Sequence, residues 1–218
     1  YDNRDYAVAK LQWKVPQVGT QTRLDLYGEA GKAVRECETV VAVLGINKSI
    51  EREGQDRYDI QLPADQREFL QEIYKVNKNV VVVLVAGSSL AVNWMDENVP
   101  AIVNAWYPGE SGGTAVAEVL FGDYNPGGRL PLTYYRSLDD LPAFDDYDVT
   151  KGRSYQYYKG DVLYPFGYGL SYTSFKYSGL KVTEDDEYAN VSFTLKNAGK
   201  RAGDEVAQVY VRLPQRNE

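Results

Sequence analysis

The sequence has no histidine and a single cysteine, Cys37, in 218 residues. Without imidazole this chain can build no Ser-His-Asp or Cys-His nucleophile pair, no HExxH zinc site and no His-Cys zinc finger. Acid–base work therefore falls to carboxylates, tyrosine, lysine or Cys37. One cysteine makes no internal disulfide, so the redox compartment stays open, and Cys37 itself reads as a small hydrophobe on a helix face. Basic excess is missing too: 24 Lys and Arg stand against 31 Asp and Glu, a net charge of −7. With both signs dispersed there is no electrostatic footprint for nucleic acid, and no basic tail addresses a membrane surface. No apolar run approaches the roughly 20 residues of a membrane span. The longest, Val80 to Ala86, reads as a buried strand. The first residues, YDNRDYAVAKLQW, carry no signal-peptide pattern, so a mature product or a fragment is expected.

What is present alternates strand and helix. Leu24, Leu26, Ala30, Ala33, Val34 and Cys37 recur at near-helical spacing, which predicts one amphipathic helix over 23–37. Thr39 to Leu44 is a β-branched run, apolar on both faces as in a parallel strand covered by helices. Pro63 and Asp65 open a helix with Phe69, Leu70, Ile73 and Val76 on one stripe. Asn79 to Gly87 is the next strand. Ser88 and Ser89 are expected to cap a short helix through Trp94 and Met95, and Ala101 to Ala105 is a further strand. The Gly-rich turn 107–113 opens a helix ending at Phe121-Gly122, and a last short strand is expected near Leu130 to Tyr134.

This pattern predicts an α/β fold with a mainly parallel sheet, whose site lies in the loops after the strands. Residues 137–170, rich in Tyr, Asp, Gly and Pro, read as a wrapping connection. Beyond them, Asn190 to Leu195 and Val206 to Leu213 around a turn at Asn197-Ala198-Gly199 predict antiparallel β, with Glu184 to Glu187 a surface hairpin turn. Too few residues remain for the roughly 100 of a whole β-sandwich. The expected organisation is therefore an α/β-sandwich domain over 1–136, the connection over 137–170, and a truncated β-sandwich domain over 171–218.

Gly45 to Pro63 gathers Glu51, Glu53, Asp56, Asp59, Lys48, Arg52 and Arg57 after a strand end. In one reading this is a solvated loop laced with surface ion pairs. In the other, a carboxyl beyond a parallel strand serves as a general acid while a second carboxylate handles the other half of a reaction. Gly54 allows a sharp turn or a close ligand approach, and Asp56-Arg57 are expected to make the ion pair that holds the loop. Trp106-Tyr107, just past a strand end, are candidates for lining a sugar site. The aspartates of 139–148 lack EF-hand spacing and read as a solvated acidic loop, and Gly109-x-x-Gly112-Gly113 lacks a phosphate-binding signature.

Ser49-Ile50-Glu51-Arg52-Glu53-Gly54-Gln55-Asp56-Arg57, followed by Leu62-Pro63 and Gln66, resembles the ExEGxDR…LPxxQ signature of glycoside hydrolase family 3, in its C-terminal α/β-sandwich domain. The likeness continues through the Val80 to Gly87 strand, through Ala105 to Gly113 with Ala117 to Gly122, and through the NPxGxLP-like turn Asn125 to Pro131. It ends in Tyr164 to Phe175, which is similar to the segment leading into a fibronectin type III-like domain. Ile50-Glu51-x-Glu53 and Gly152-Arg153-Ser154-Tyr155 with Tyr158 look most like the β-xylosidase and α-L-arabinofuranosidase branch, with β-glucosidases close behind.

The resemblance implies a retaining exo-acting glycosidase of plant-type oligosaccharides, secreted or periplasmic, that needs no cofactor and no metal. Its general acid/base maps to Glu53, with Glu51 kept as rival; Arg57, Trp106 and Tyr107 are the expected substrate-binding residues. The family's Asp nucleophile lies on a (β/α)8 barrel of about 250 residues, more than this chain holds. The expectation is thus a piece truncated at both ends, inactive alone, whose partners are an oligosaccharide and the missing barrel, with a homodimer left open. The rival class is a non-catalytic carbohydrate-binding or interaction module.

Overall fold

The computed structural model describes residues 23–185 and 187–211. A three-stranded parallel sheet organises the first half: β1 (Val40–Gly45), β2 (Val80–Val85) and β3 (Ala101–Asn104), in the order β1-β2-β3. Valine runs suit these strands because a β-branched side chain packs well on a pleated surface. Register pairs Ala42 with Val82 and Leu44 with Leu84, so these side chains share one face and all four are buried. Against that face lie α1 (Glu29–Glu36), α2 (Ala64–Val76) and α3 (Asn93–Asn98) through Val34, Leu70, Ile73 and Met95. The opposite face is open over β1. Val41 is 47% and Val43 63% exposed, so this strand is not covered on both sides as its composition predicts.

The expected 23–37 helix is two pieces. A 3-10 turn over Arg23–Tyr27 stops at Gly28, whose φ of 55° belongs to the left-handed region, and α1 starts at the next residue. Apolar spacing runs through that break unaltered, which is why the periodicity hides it. Cys37 caps the end of α1 and is exposed, not buried on a helix face. In α2, Leu70 and Ile73 are buried and Phe69 packs on the Tyr27 ring at 4.4 Å, while Val76 lies half outside. Gln66, one turn into α2, reaches back to the end of β1. Its carboxamide accepts from Gly45 N at 2.9 Å and donates to Gly45 O at 2.8 Å, which closes the open edge of β1 at its last residue.

After α4 (Gly112–Phe121), ended by Gly122 at φ 81°, the chain wraps. Leu130 to Tyr134 forms no strand of the sheet. It runs beside 163–168 through Leu130 N to Tyr168 O, Gly167 N to Leu130 O and Tyr134 N to Tyr164 O, with a single bridge at Tyr134 and Tyr164. Residues 137–170 hold two 3-10 turns and α5 (Ser154–Tyr157), a single helical turn. Arg153 stitches this wrap by donating to the carbonyls of Asp146 and Ala143 at 3.0 and 2.7 Å.

The second sheet is the hairpin of β4 (Phe175–Glu184) and β5 (Ala189–Asn197), antiparallel, with a bulge at Ser178/Lys181 around Gly179. Its turn is set by Asp185, whose carboxylate accepts from Glu187 N and Tyr188 N. Residues 206–211, expected within the strand Val206 to Leu213, are exposed and belong to no strand among the described residues; 212 and 213 lie outside them. Asn125 and Arg129 tie this part to the first. The Asn125 side chain accepts from Ser171 Oγ and Tyr172 N and donates to Ala202 O, while Arg129 pairs with Glu205 at 2.9 Å, both 15% exposed or less.

Candidate active site

The carboxyl ends of β1, β2 and β3 converge, as an open parallel sheet requires, on the loops that carry every candidate residue. After β1 the chain turns at Asn47, whose Oδ1 accepts from Ser49 N and Ser49 Oγ and whose carbonyl accepts from Ile50 N and Glu51 N. A tight hairpin follows: Arg52 N donates to Gln55 O at 3.1 Å and Gln55 N to Arg52 O at 2.9 Å. Glu53 and Gly54 form its corner. Gly54, at φ 73°, supplies the left-handed conformation that the second corner position of such a turn needs. Glu53 is exposed, and its carboxylate has no hydrogen-bond or ion-pair partner among the described residues.

Glu51 stands differently. Its Oε2 lies 2.8 Å from Arg57 Nε and accepts from Ser88 Oγ at 2.5 Å. Arg57 completes the cluster by donating through Nη2 to Ser88 Oγ at 2.8 Å and Ser89 O at 2.9 Å. The expected Asp56–Arg57 pair does not form: Arg57 pairs with Glu51, and Asp56 points into solvent. Arg57 is drawn inward by Glu51, Ser88 and the Ser89 carbonyl, which leaves its exposed neighbour Asp56 out of reach. Nor do Ser88 and Ser89 cap a helix. α3 starts at Asn93 behind Val92 with no side-chain cap, and Ser88 spends its hydroxyl on Glu51.

Trp106 and Tyr107 follow β3. Trp106 adopts φ 54°, unusual for a non-glycine residue, and its side chain packs against the core. That backbone turn lays the Tyr107 ring over Gly87, where a Cβ would fall 2.5 Å from Tyr107 Cε2 and 3.4 Å from Glu51 Oε1. Tyr107 donates its hydroxyl to Ile46 O at 3.3 Å and remains 53% exposed. Glu51, Glu53, Arg57, Trp106 and Tyr107 thus lie on the loops at one end of the sheet.

Two residues behind the site were not singled out from sequence: Asn104 and Tyr134. Asn104, the polar end of the AIVN strand, donates to the buried Tyr134 hydroxyl at 3.0 Å. An amide closing an otherwise apolar run is the signal that marks it. Burial pushes the Tyr134 phenol up to about 12, with the Asn104 hydrogen bond and the Arg57 charge pulling the other way. Tyr164 is raised as well, first by burial and then by the Asp96 carboxylate that accepts its hydroxyl at 2.7 Å. A phenol whose folded pKa lies above the unfolded value of about 10 keeps its proton longer in the folded state. Its stabilisation is full below pH ~10 and is lost as pH rises toward the folded value. Alkaline titration of phenolate absorbance should show a tyrosine class ionising after the exposed ones, with unfolding stability falling between pH ~10 and 12. A single class titrating near pH 10 would contradict the burial of Tyr134.

The profile of the glycosyl hydrolase family 3 C-terminal domain matches residues 8–172. Among curated relatives, a xylan 1,4-β-xylosidase of Xylanibacter ruminicola is 44% identical over 196 residues, covering 80% of this chain and 22% of that protein. The β-glucosidase BoGH3A of Bacteroides ovatus is 36% identical over 219 residues, covering 90% of this chain and 29% of that one. Among solved structures, a β-glucosidase from Kluyveromyces marxianus superposes with a TM-score of 0.75 at 31% identity, over 85% of this chain and 24% of that one. The chain belongs to glycoside hydrolase family 3, as its C-terminal α/β domain. It spans between 22% and 29% of the length of these two curated relatives, which include both xylosidase and glucosidase types.

Proposed function

We propose that this chain supplies the general acid/base of a retaining exo-β-glycosidase of the β-xylosidase type, and that Glu53 is that residue. The observation that carries the choice is the contrast between two carboxylates two residues apart. Glu51 is committed to Arg57 and Ser88, whereas Glu53 stands free on the hairpin corner at the carboxyl end of the sheet. A general acid must present its proton to a leaving oxygen, and a carboxylate already held by a guanidinium and a hydroxyl is poorly placed to do so.

In this reading an Asp carboxylate on a (β/α)8 barrel outside this sequence attacks the anomeric carbon. The bond to the aglycone breaks, and the Glu53 proton goes to the departing oxygen. Glu53, now a carboxylate, takes a proton from water as that water attacks the same carbon and releases the Asp, so configuration is retained. The two carboxyls belong about 5–5.5 Å apart. One carboxyl cannot take both parts, so the chain alone is inactive. Tyr107, half exposed over Gly87, offers a ring to the sugar, with Trp106 holding it there. Arg57 acts from beneath, because its side chain is only 10% exposed.

The xylosidase type is favoured by the 44% identity to the Xylanibacter enzyme; the β-glucosidases of comparable coverage make glucose the second reading. Residues 1–136 form the α/β-sandwich domain of this proposal, 137–170 its wrapping connection, and 171–218 part of a fibronectin III-like domain. A secreted or periplasmic location accords with a relative described as a periplasmic β-glucosidase, from Salmonella typhimurium, and no helix among the described residues is long and apolar enough to cross a membrane. Specificity is tested by assaying the enzyme that contains this chain on aryl β-xyloside, α-arabinofuranoside and β-glucoside. The highest kcat/KM is expected on the xyloside. Preference for the glucoside would install the second reading, and sugar binding without turnover of any of the three would reduce the chain to a binding module.

A further inference from the structure

We propose that Glu51 is a positioning residue: held by Arg57 and Ser88, its carboxylate fixes the hairpin that carries Glu53 and so sets where the acid stands when a glycoside binds. The inference rests on Glu53 as the acid/base and deepens that reading. It starts from the way the hairpin is closed. Arg52 and Gln55 exchange backbone hydrogen bonds next to the corner, and just outside them Glu51 and Arg57 close the stem a second time at 2.8 Å.

Ser88 makes that second closure an anchor. Arg57 donates to Ser88 Oγ, Ser88 donates to Glu51 Oε2, and Arg57 binds Glu51 directly, so three side chains form a ring. Two of them come from the loop after β1 and the third from the loop that follows β2, the central strand of the sheet. The Ser89 carbonyl takes a further bond from Arg57, and Ala91 N donates to Ile60 O beyond it. The ring is largely out of water, with the Arg57 and Glu51 side chains 10% and 23% exposed. Gly87 lets the Tyr107 ring close over the cluster, since a Cβ there would fall 2.5 Å from Tyr107 Cε2. Arg57 Nη1 is buried with no acceptor among the described residues, so Glu51 is the carboxylate that holds this guanidinium in place. A buried cation deprived of its anion does not stay where it was.

The result is a hairpin with a clamped base and a free tip. That division suits an acid on a loop, because catalytic groups must be held within about 0.5 Å, and a displacement of about 1 Å can cost about 10²-fold in rate.

The test uses the enzyme that contains this chain, with Glu51→Gln, which keeps shape and removes charge, and Ser88→Ala, which keeps both charges and removes one bond of the ring. Amide hydrogen exchange is followed over 47–59 and over β1 and β2, together with kcat and KM on a glycoside with a poor leaving group. For Glu51→Gln, exchange across 47–59 should quicken by about tenfold or more with the strands unchanged, and kcat should fall by about 10–10²-fold with KM within about twofold. Ser88→Ala should shift both readouts the same way by less. Azide should rescue neither, because the Glu53 carboxylate is still present. Unchanged loop exchange in both variants overturns the proposal even where Glu53 behaves as the acid/base, and azide rescue of Glu51→Ala overturns it by making Glu51 that residue. Full activity in Glu53→Gln, with the loop loosened in Glu51→Gln, instead overturns the reading of Glu53 and leaves Glu51 only a loop brace.

Discussion

Glu53→Gln in the enzyme that contains this chain should lower turnover of a glycoside with a poor leaving group by about 10²–10⁴-fold, the range that general acid catalysis contributes. An aryl glycoside with an activated leaving group should keep much of its glycosylation rate, because a stabilised phenolate departs without a proton. Deglycosylation then becomes slow, since no carboxylate takes the proton of the attacking water. Azide replaces that water without needing a base. In Glu53→Ala its terminal nitrogen can attack the anomeric carbon, displacing the Asp carboxylate and leaving a glycosyl azide. Turnover of the activated substrate should therefore recover as azide is added, and the azide product should be isolable. Equal losses on activated and unactivated substrates, or azide rescue confined to Glu51→Ala, would remove Glu53 from this role.

The contrast between Glu51 and Glu53 depends on information that a linear reading does not hold. The motif places both carboxylates after a strand end, and on charge pattern alone either can be the acid. What separates them is the corner at Glu53-Gly54. By turning the chain there, it brings residues on either flank together, so Glu51 meets Arg57 while Asp56, adjacent to Arg57, faces away. In the sequence Ser88 is a polar residue after a strand, a position that suits a helix start equally well. In the folded chain a carboxylate within 2.5 Å competes more strongly for its hydroxyl than backbone amides that begin only at Asn93.

The parallel sheet was legible for the opposite reason. Its strands are short β-branched runs whose partners lie one helix away, and the expected elements 39–44, 79–87 and 101–105 coincide with β1, β2 and β3 to within two residues. Legibility failed where the partner is remote or missing from the pattern. Leu130 to Tyr134 is apolar enough for a strand, but it pairs with 163–168 after a long wrap. The alternation in 206–211 is genuine, yet these residues join no ladder among the described residues. Gly28 breaks a helix without disturbing its apolar spacing, because Leu24 and Tyr27 of the 3-10 turn and Val34 of α1 meet the same core on either side of the break.

The second large effect is expected at Gly45, where strand, helix and site loop meet. An added Cβ would fall on the Val85 carbonyl, 2.7 Å from its carbon, and both groups are backbone at the ends of paired strands. Neither can move aside as a side-chain tip could. Gly45→Ala should therefore reach the upper end of overpacking costs, about 3 kcal/mol, seen as a lower urea midpoint at unchanged m-value. The displaced strand end also carries the amide and carbonyl that Gln66 holds at 2.9 and 2.8 Å, so the clasp from α2 is lost with the packing. Gln66→Leu isolates that second part. It removes both hydrogen bonds without a clash, and because the site is half-buried the expected loss is about 1–2 kcal/mol. The order Gly45→Ala below Gln66→Leu below the parent in stability follows from backbone overlap being harder to relieve than an unpaired edge. A Gly45→Ala protein as stable as the parent would mean that β1 and β2 do not approach at Gly45 and Val85, and the loop bearing Glu51, Glu53 and Arg57 would then start from a different place.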